Sequence, residues 1–298
     1  MTSPDPADTR STVTIGGDLT VSSIGYGAMQ LTGPKVWGDY PDHEGGVRLL
    51  RQVVDEGVTY IDTADVYGPH SNEELIREAL HPYPDNLVIA TKGGFVRGGP
   101  EYSDMSAVGN RAYLRQSAYL SMRRLGLDVI DLYYLHTPTM TDVPFEQVVE
   151  TLAGMKQDGL IRHIGLSNVS AEQLRIALSI TDVAAVTVHY GVAERLGGAA
   201  RGVAEERGVV FSPWHPGAIP AGDEGEPFHA VIDPIAEKHA ATPQQIALAW
   251  QLRRTPNALP IPGTKSPEHL HENVAAGGIR LEDAEVEAIT ALAPEPAE

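Results

Sequence analysis

The chain has 298 residues, a formal net charge of −18 and no cysteine. So acidic a surface repels nucleic-acid phosphates, which argues against DNA or RNA as a partner. Without cysteine there is no disulfide framework, thiolate metal site or cysteine nucleophile, and the composition suits a reducing cytoplasm.

Residues 1–10 are polar, hold Pro4 and Pro6 and lack an apolar stretch, which predicts a disordered leader and not a signal peptide. Residues 11–298 read as one domain, large enough to bury a core without metal or disulfide staples. No stretch is long and apolar enough to span a membrane. Val13–Ile15 and Leu19–Val21 flank Gly16, Gly17 and Asp18, the pattern of a β-hairpin. Short apolar runs then predict strands at Ile24–Gly27, Thr59–Asp62, Val88–Thr91, Leu132–Leu135, His163–Ser167, Ala185–Val188, Val209–Ser212 and Ala258–Ile261. Helical periodicity separates them, over Gly45–Glu56, Ser71–Leu80, Arg111–Leu125, Pro144–Asp158, Ala171–Ser179, Gly198–Arg207 and Ile232–His239. Thr242, Pro243 and Gln245 form a capping box that opens a helix through Leu252. Ser266-Pro267-Glu268 opens another, ending near Gly277. Trp250 falls on an apolar helix face, and Arg123 and Arg124 on a solvated one. A loop over Gly93–Asn110 and a terminal helix over Leu281–Leu292 are additions to this alternation.

Eight strand–helix units in order imply an α/β fold, a parallel (β/α)8 or TIM barrel, because parallel neighbours need helical crossovers. An open doubly wound sheet lacks support, since no Gly-x-Gly-x-x-Gly opens the first helix. A barrel of this type carries its active site at the C-terminal ends of the strands. There the sequence places Gly27 and Met29, Asp62 and Tyr67, Lys92, His136, Ser167 and Asn168, His189, then Ser212, Trp214 and His215, and finally Gly263 to Ser266. A charged or hydrogen-bonding residue at nearly every rim position points to an enzyme.

Asp62, Tyr67, Lys92 and His136 make chemical sense as a unit. Reducing a carbonyl by hydride requires a proton donor for the developing alkoxide, with donors or positive charge beside it. A free tyrosine, with a pKa of about 10, gives up its proton reluctantly near neutrality. A neighbouring ammonium favours phenolate, and a carboxylate on the next strand holds that ammonium in place. Histidine can orient the carbonyl oxygen or assist the transfer.

Ile61-Asp62-Thr63-Ala64-Asp65-Val66-Tyr67-Gly68 with Asn72-Glu73, Ala90-Thr91-Lys92, the run from Asp128 to His136 and the run from Gly159 to Asn168 follow in order. Together they resemble the motifs of the aldo-keto reductase superfamily across nearly the whole chain. The resemblance implies reversible, NADPH-dependent reduction of small-molecule aldehydes or ketones to alcohols, with Asp62, Tyr67, Lys92 and His136 as the catalytic tetrad. It implies that Ser167 and Asn168 bind the nicotinamide carboxamide and that Phe211 stacks on its ring. Ser212 to Gly217, with Trp214, would cover the pyrophosphate, and Gly27 and Met29 join the cofactor set. Gly263, Thr264, Lys265 and Ser266, with Glu272 and Asn273, resemble the adenosine 2′-phosphate site, where helix N-terminal amides suit an anion. Trp37, in the loop after the first strand, is implied as a wall of the substrate pocket, beside Tyr67 and His136.

The chain departs from the family pattern at Thr187, where Gln is usual as a carboxamide ligand, and at Gly191, where Asn is common. His269 stands where an Arg often grips the 2′-phosphate, which leaves Lys265 to favour NADPH over NADH. Two other functions remain open on the same residues. One is a metal-dependent barrel hydrolase or isomerase with Asp62, His136, His189 and His215 as ligands, although Lys92 would repel the cation. The other is a non-catalytic, nucleotide-binding relative acting through partners. The short tail after the last helix predicts an open pocket, and the expected assembly is a monomer or weak oligomer.

Overall fold

A computed structural model describes residues 12–296, so the expected leader over residues 1–10 lies outside the described residues. β1 (Thr12–Ile15) and β2 (Leu19–Ser22) pair antiparallel around the glycine turn, as the sequence predicts. Seven parallel strands follow: β3 (Tyr26–Gly27), β4 (Tyr60–Asp62), β5 (Val88–Gly93), β8 (Ile130–Leu135), β9 (Ile161–Ser167), β10 (Ala185–His189) and β11 (Val210–Trp214). Each neighbours its successor in that order, with helices between. Residues of β5, β8 and β9 are buried almost throughout, because a strand inside a helix-covered barrel has no solvent face.

The eighth predicted strand, at Ala258–Ile261, forms only an isolated bridge, Phe211 to Ala258. The segment nevertheless closes the barrel. Leu259 and Ile261 donate to the carbonyls of Phe211 and Pro213 on one side, and Pro260 and Pro262 accept from Gly25 and Gly27 on the other. Prolines at alternate positions remove every donor facing β3, so half of the ladder cannot form. The backbones approach so closely here that a Cβ on Gly27 would stand 2.8 Å from the Ile261 carbonyl oxygen, and one on Gly263 would stand 2.8 Å from that of Gly27.

Inside the barrel, Tyr60, Val88, Leu132, Tyr134, Val210 and Leu259 pack with Ile15, Leu19 and Val21 of the first hairpin. That hairpin therefore closes the end where the strands begin and leaves their C-terminal ends open. A larger apolar layer lies between strands and helices, and each aliphatic side chain fully buried there contributes about 1.5–3 kcal/mol.

The outer helices are α1 (His43–Asp55), α2 (Ser71–Leu80), α3 (Arg111–Leu125), α4 (Phe145–Gln157), α5 (Ala171–Ile180), α6 (Gly198–Arg207), α7 (Glu226–Lys238), α8 (Pro243–Arg254), α9 (Pro267–Ala275) and α10 (Asp283–Thr290). α7 starts at Glu226, well before the predicted Ile232; Pro227 fits its first turn, whereas Pro234 inside the helix breaks the sequence pattern. Trp250 is buried as predicted, its indole donating to Thr290 Oγ1 at 3.0 Å. Arg124 is not on a solvated face: it pairs with fully buried Glu73 at 2.6 Å and ties α3 to α2. No helix among the described residues is long and apolar enough to cross a membrane.

The predicted loop over Gly93–Asn110 contains a second hairpin, β6 (Phe95–Arg97) with β7 (Met105–Ala107). It stands above the open end of the barrel, where Arg97 donates to the carbonyls of Lys35 and Val36.

Candidate active site

A cavity of about 300 Å³ opens at the C-terminal ends of the strands. Asp62 ends β4, Lys92 lies at the end of β5, His136 follows β8, and Tyr67 comes from the turn between β4 and α2. All four line the cavity. The turn carrying Tyr67 is held from below by Asn72, whose amide donates to the carbonyls of Ala28 and Leu31 and whose oxygen accepts from Thr63. Asp65 N also donates to the Lys92 carbonyl at 3.1 Å, which binds the turn to β5.

Lys92 Nζ donates to Asp62 Oδ1, to the Thr63 carbonyl at 2.9 Å and to the Tyr67 hydroxyl at 3.5 Å. Desolvation would lower the Lys92 pKa, but Asp62 and Tyr67 together outweigh it and raise the value. Burial pushes the Asp62 carboxyl up against the pull of Lys92. The geometry and these opposing effects place the proton on Lys92, forming a buried ion pair. Burial also raises Tyr67, by more than Lys92 lowers it. The sequence predicts a tyrosine tuned downward; in this site desolvation wins and the phenol stays protonated at neutral pH.

His136 is pushed well below its ordinary pKa, first by burial and then by Lys92, so its imidazole is neutral. Its ring meets Tyr67 edge-on at 5.7 Å and Phe95 at 5.0 Å. Asp62 Oδ2, His136 Nδ1 and Thr187 Oγ1 are buried without hydrogen-bond partners.

Gly27, Met29, Ser167, Asn168, Thr187, Trp214 and Gly263 line the same cavity. Asn168 takes a positive φ of 59°. Its amide donates to Ser167 Oγ at 3.0 Å, and its oxygen accepts from the Trp214 indole at 3.1 Å. Trp214 in turn stacks on His189, with ring centroids 4.1 Å apart.

Phe211 does not face this cavity. It is fully buried against Tyr190 in the layer between strands and helices. Side chains alternate along a strand, so Ser212 and Trp214 share the inward face that Phe211 lacks; Ser212 Oγ, fully buried, donates to the Leu259 carbonyl. Trp214, not Phe211, presents an aromatic face to the cavity.

Trp37 also differs from expectation. Its ring lies 5.2 Å from the Arg97 guanidinium, outside the cavity lining, and Val36, Arg97, Tyr102 and Met105 supply the wall instead. Glycine and polar composition hid the hairpin that carries three of them.

At the opposite wall, Gln30 and Tyr26 donate to the carbonyls of Gly263 and Thr264. Ser266 caps α9, accepting from His269 N at 3.2 Å, and Lys265 and His269 are exposed beside it. Glu272 and Asn273 are half-buried on the same helix, and Gly217 lies near α8, against Gln244. The proposed metal ligands do not converge: among the described residues no three His, Asp or Glu side chains form a cation-holding group. Asp62 is engaged by Lys92, and His189 by Trp214.

The parallel barrel thus gathers a buried Lys–Asp pair, a tyrosine and a neutral histidine at one rim, and the proteins it is similar to are barrel oxidoreductases. Residues 23–294 match the Aldo/keto reductase family, and the chain belongs to it. It is 39% identical over 274 residues to pyridoxine 4-dehydrogenase of Escherichia coli, covering 90% of this chain and 93% of that protein. It is 40% identical over 265 residues to an uncharacterized oxidoreductase of Schizosaccharomyces pombe, covering 89% and 84%. An aldo-keto reductase from Klebsiella pneumoniae, solved in complex with NADPH, superposes with a TM-score of 0.79 at 27% identity and 97% coverage of each chain.

Proposed function

We propose that this chain reduces small aldehydes or ketones with NADPH, with Tyr67 as proton donor. The carrying observation is the buried Asp62–Lys92–Tyr67 chain beside neutral His136. When bound, NADPH supplies the hydride. Tyr67 and one nitrogen of His136 hold the carbonyl oxygen, and the Tyr67 proton passes to that oxygen as negative charge develops on it. Lys92 then stabilises the phenolate left behind, and Asp62 keeps Lys92 in place and charged.

The residues fit the cofactor. Trp214 offers an aromatic face, Ser167 and Asn168 offer carboxamide partners, and Thr187 has a buried oxygen without a partner. The start of α9 with Lys265 suits a phosphate. NADPH and NADP(+) stand in the names of related proteins, the Klebsiella reductase and an aldo-keto reductase of Schizosaccharomyces pombe. Pyridoxine stands in the name of the Escherichia coli relative, so the aldehyde at the 4-position of that compound belongs in the first substrate panel.

The test is Tyr67→Phe. Loss of the general acid is expected to slow carbonyl reduction by about 10²–10⁴. NADPH affinity, read by quenching of tryptophan fluorescence, should stay nearly intact. Normal turnover in the variant removes Tyr67 as the donor.

A further inference from the structure

The cavity wall contains a cation that the reductase chemistry leaves unused. Among the ionisable residues lining the cavity, Asp62 is the one carboxylate, against Lys92 and Arg97. Asp62 neutralises Lys92. Arg97 has no carboxylate partner among the described residues. Its Nη1 donates to the carbonyls of Lys35 and Val36 at 3.0 and 2.9 Å, and its Nη2 to that of Pro100 at 2.7 Å. The nearby acid, Glu101, is taken by Lys35. A guanidinium carries five N–H donors; three are engaged, and Nε is buried without an acceptor.

The charge is also held in a fixed orientation. The guanidinium lies 5.2 Å from the Trp37 ring and 5.6 Å from the Tyr102 ring. The ring contacts and the three carbonyl bonds fix the guanidinium, and its positive charge and the remaining Nη2 hydrogen are left for an anion in the cavity. The cofactor does not account for it. The residues offered above to NADPH, Ser167, Asn168, Thr187, Trp214 and Lys265, lie on or just after β9 to β11 and in segment 258–266, whereas Arg97 belongs to the wall made by Val36 and the β6–β7 hairpin.

Arg97 stands away from the reacting end of the cavity. The Phe95 ring meets the His136 ring at 5.0 Å. Arg97 is two residues further along β6, on the same face, an advance of about 7 Å. Val66 and Met105 line the same cavity and are apolar. Resting on the reductase reading above, we infer that Arg97 selects substrates: aldehydes or ketones that carry a carboxylate remote from the carbonyl, across an apolar spacer.

The test compares 4-carboxybenzaldehyde with its methyl ester, which keeps the shape and loses the charge. The ester is the more electrophilic aldehyde, so intrinsic reactivity favours it. The wild-type protein is expected to prefer the acid by at least about tenfold in kcat/KM, a difference of about 1.4 kcal/mol. Arg97→Met should lower kcat/KM for the acid about tenfold more than for the ester. Arg97→Lys, which keeps the charge without the planar guanidinium, should retain part of the preference. The ortho acid, with its carboxylate beside the carbonyl, should show no preference over its own ester. Calorimetric binding of the same compounds to the protein, with and without NADP+, reads the site without turnover. Equal use of acid and ester by the wild type overturns the carboxylate site and leaves the reductase reading standing. Turnover of neither, with acid-selective binding lost in Arg97→Met, supports the site and overturns the reductase reading. A preference that survives Arg97→Met shows that Arg97 only clamps the loop.

Discussion

The two walls of the cavity are built differently. On one side the barrel itself does the positioning. Thr187 on β10 is paired with Ser167 on β9 and with Ser212 on β11, and all three are almost fully buried. On the other side stands a superstructure. Lys35 and Val36 adopt positive φ of 58° and 59°, which costs about 1–3 kcal/mol at a β-branched residue. The Arg97 bonds to their carbonyls, and the Tyr113 hydroxyl bond to the Phe95 carbonyl at 2.6 Å, hold that wall in place. A wall fixed by parallel ladders suits a ligand of constant shape, such as a nucleotide. One fixed by a few long-range side-chain bonds can change its preference through few substitutions, leaving the barrel intact.

The floor shared by both walls should give the largest effect. Asp62→Asn leaves the Lys92 ammonium buried without its counter-charge, which costs about 3–5 kcal/mol. Urea denaturation should show that loss, and carbonyl reduction should fall with it. Full stability together with full turnover would mean that the buried pair is dispensable.

Behind the hairpin wall, Asp65 lines a second cavity, with Ser117 donating to its Oδ2 at 2.6 Å and its Oδ1 unpartnered. Burial, and then the charge of Glu73, push this carboxyl from 3.8 up to about 7. Between those values the folded chain keeps a proton that the unfolded chain has released. Stability therefore falls as pH rises through this window, and the penalty is fully present above it. Asp65→Asn removes the penalty and keeps an acceptor for Ser117. Near pH 8 the variant is expected to be more stable than the wild type by roughly 2–4 kcal/mol, with the gap closing toward pH 4. Denaturation curves at several pH values check this; a variant less stable than the wild type at high pH would show that the carboxylate is stabilised after all.

The ease of reading the sequence follows the same division. Barrel strands announce themselves as apolar runs, and rim positions follow from where those runs end, so Asp62, Lys92, His136 and Ser167 were legible as a set. The facing of a single side chain was harder to read. Phe211 and Trp214 lie three positions apart, and only the register with β10 shows which one points inward. The closing segment hid its role because prolines remove the donors that make a strand regular. Arg97 was invisible because its partners, Lys35 and Val36, lie about sixty residues away and offer only main-chain oxygen. Side-chain-to-carbonyl bonds leave no trace in residue types.

The smallest effect should confine itself to the barrel-built wall. Lys265 is exposed, so its charge acts through solvent and contributes about 1 kcal/mol or less. Part of the phosphate recognition also comes from the amides at the start of α9, which no side-chain change removes. Lys265→Ala is therefore expected to weaken NADPH several-fold and NADH hardly at all, since only NADPH carries the 2′-phosphate. The loss should shrink as salt is added. Kd values for both nucleotides, followed by fluorescence at low and high ionic strength, measure it directly. Equal weakening of the two would take Lys265 out of the phosphate site. NADPH preference would then rest on α9 alone, because His269 at that helix start has no fork to offer.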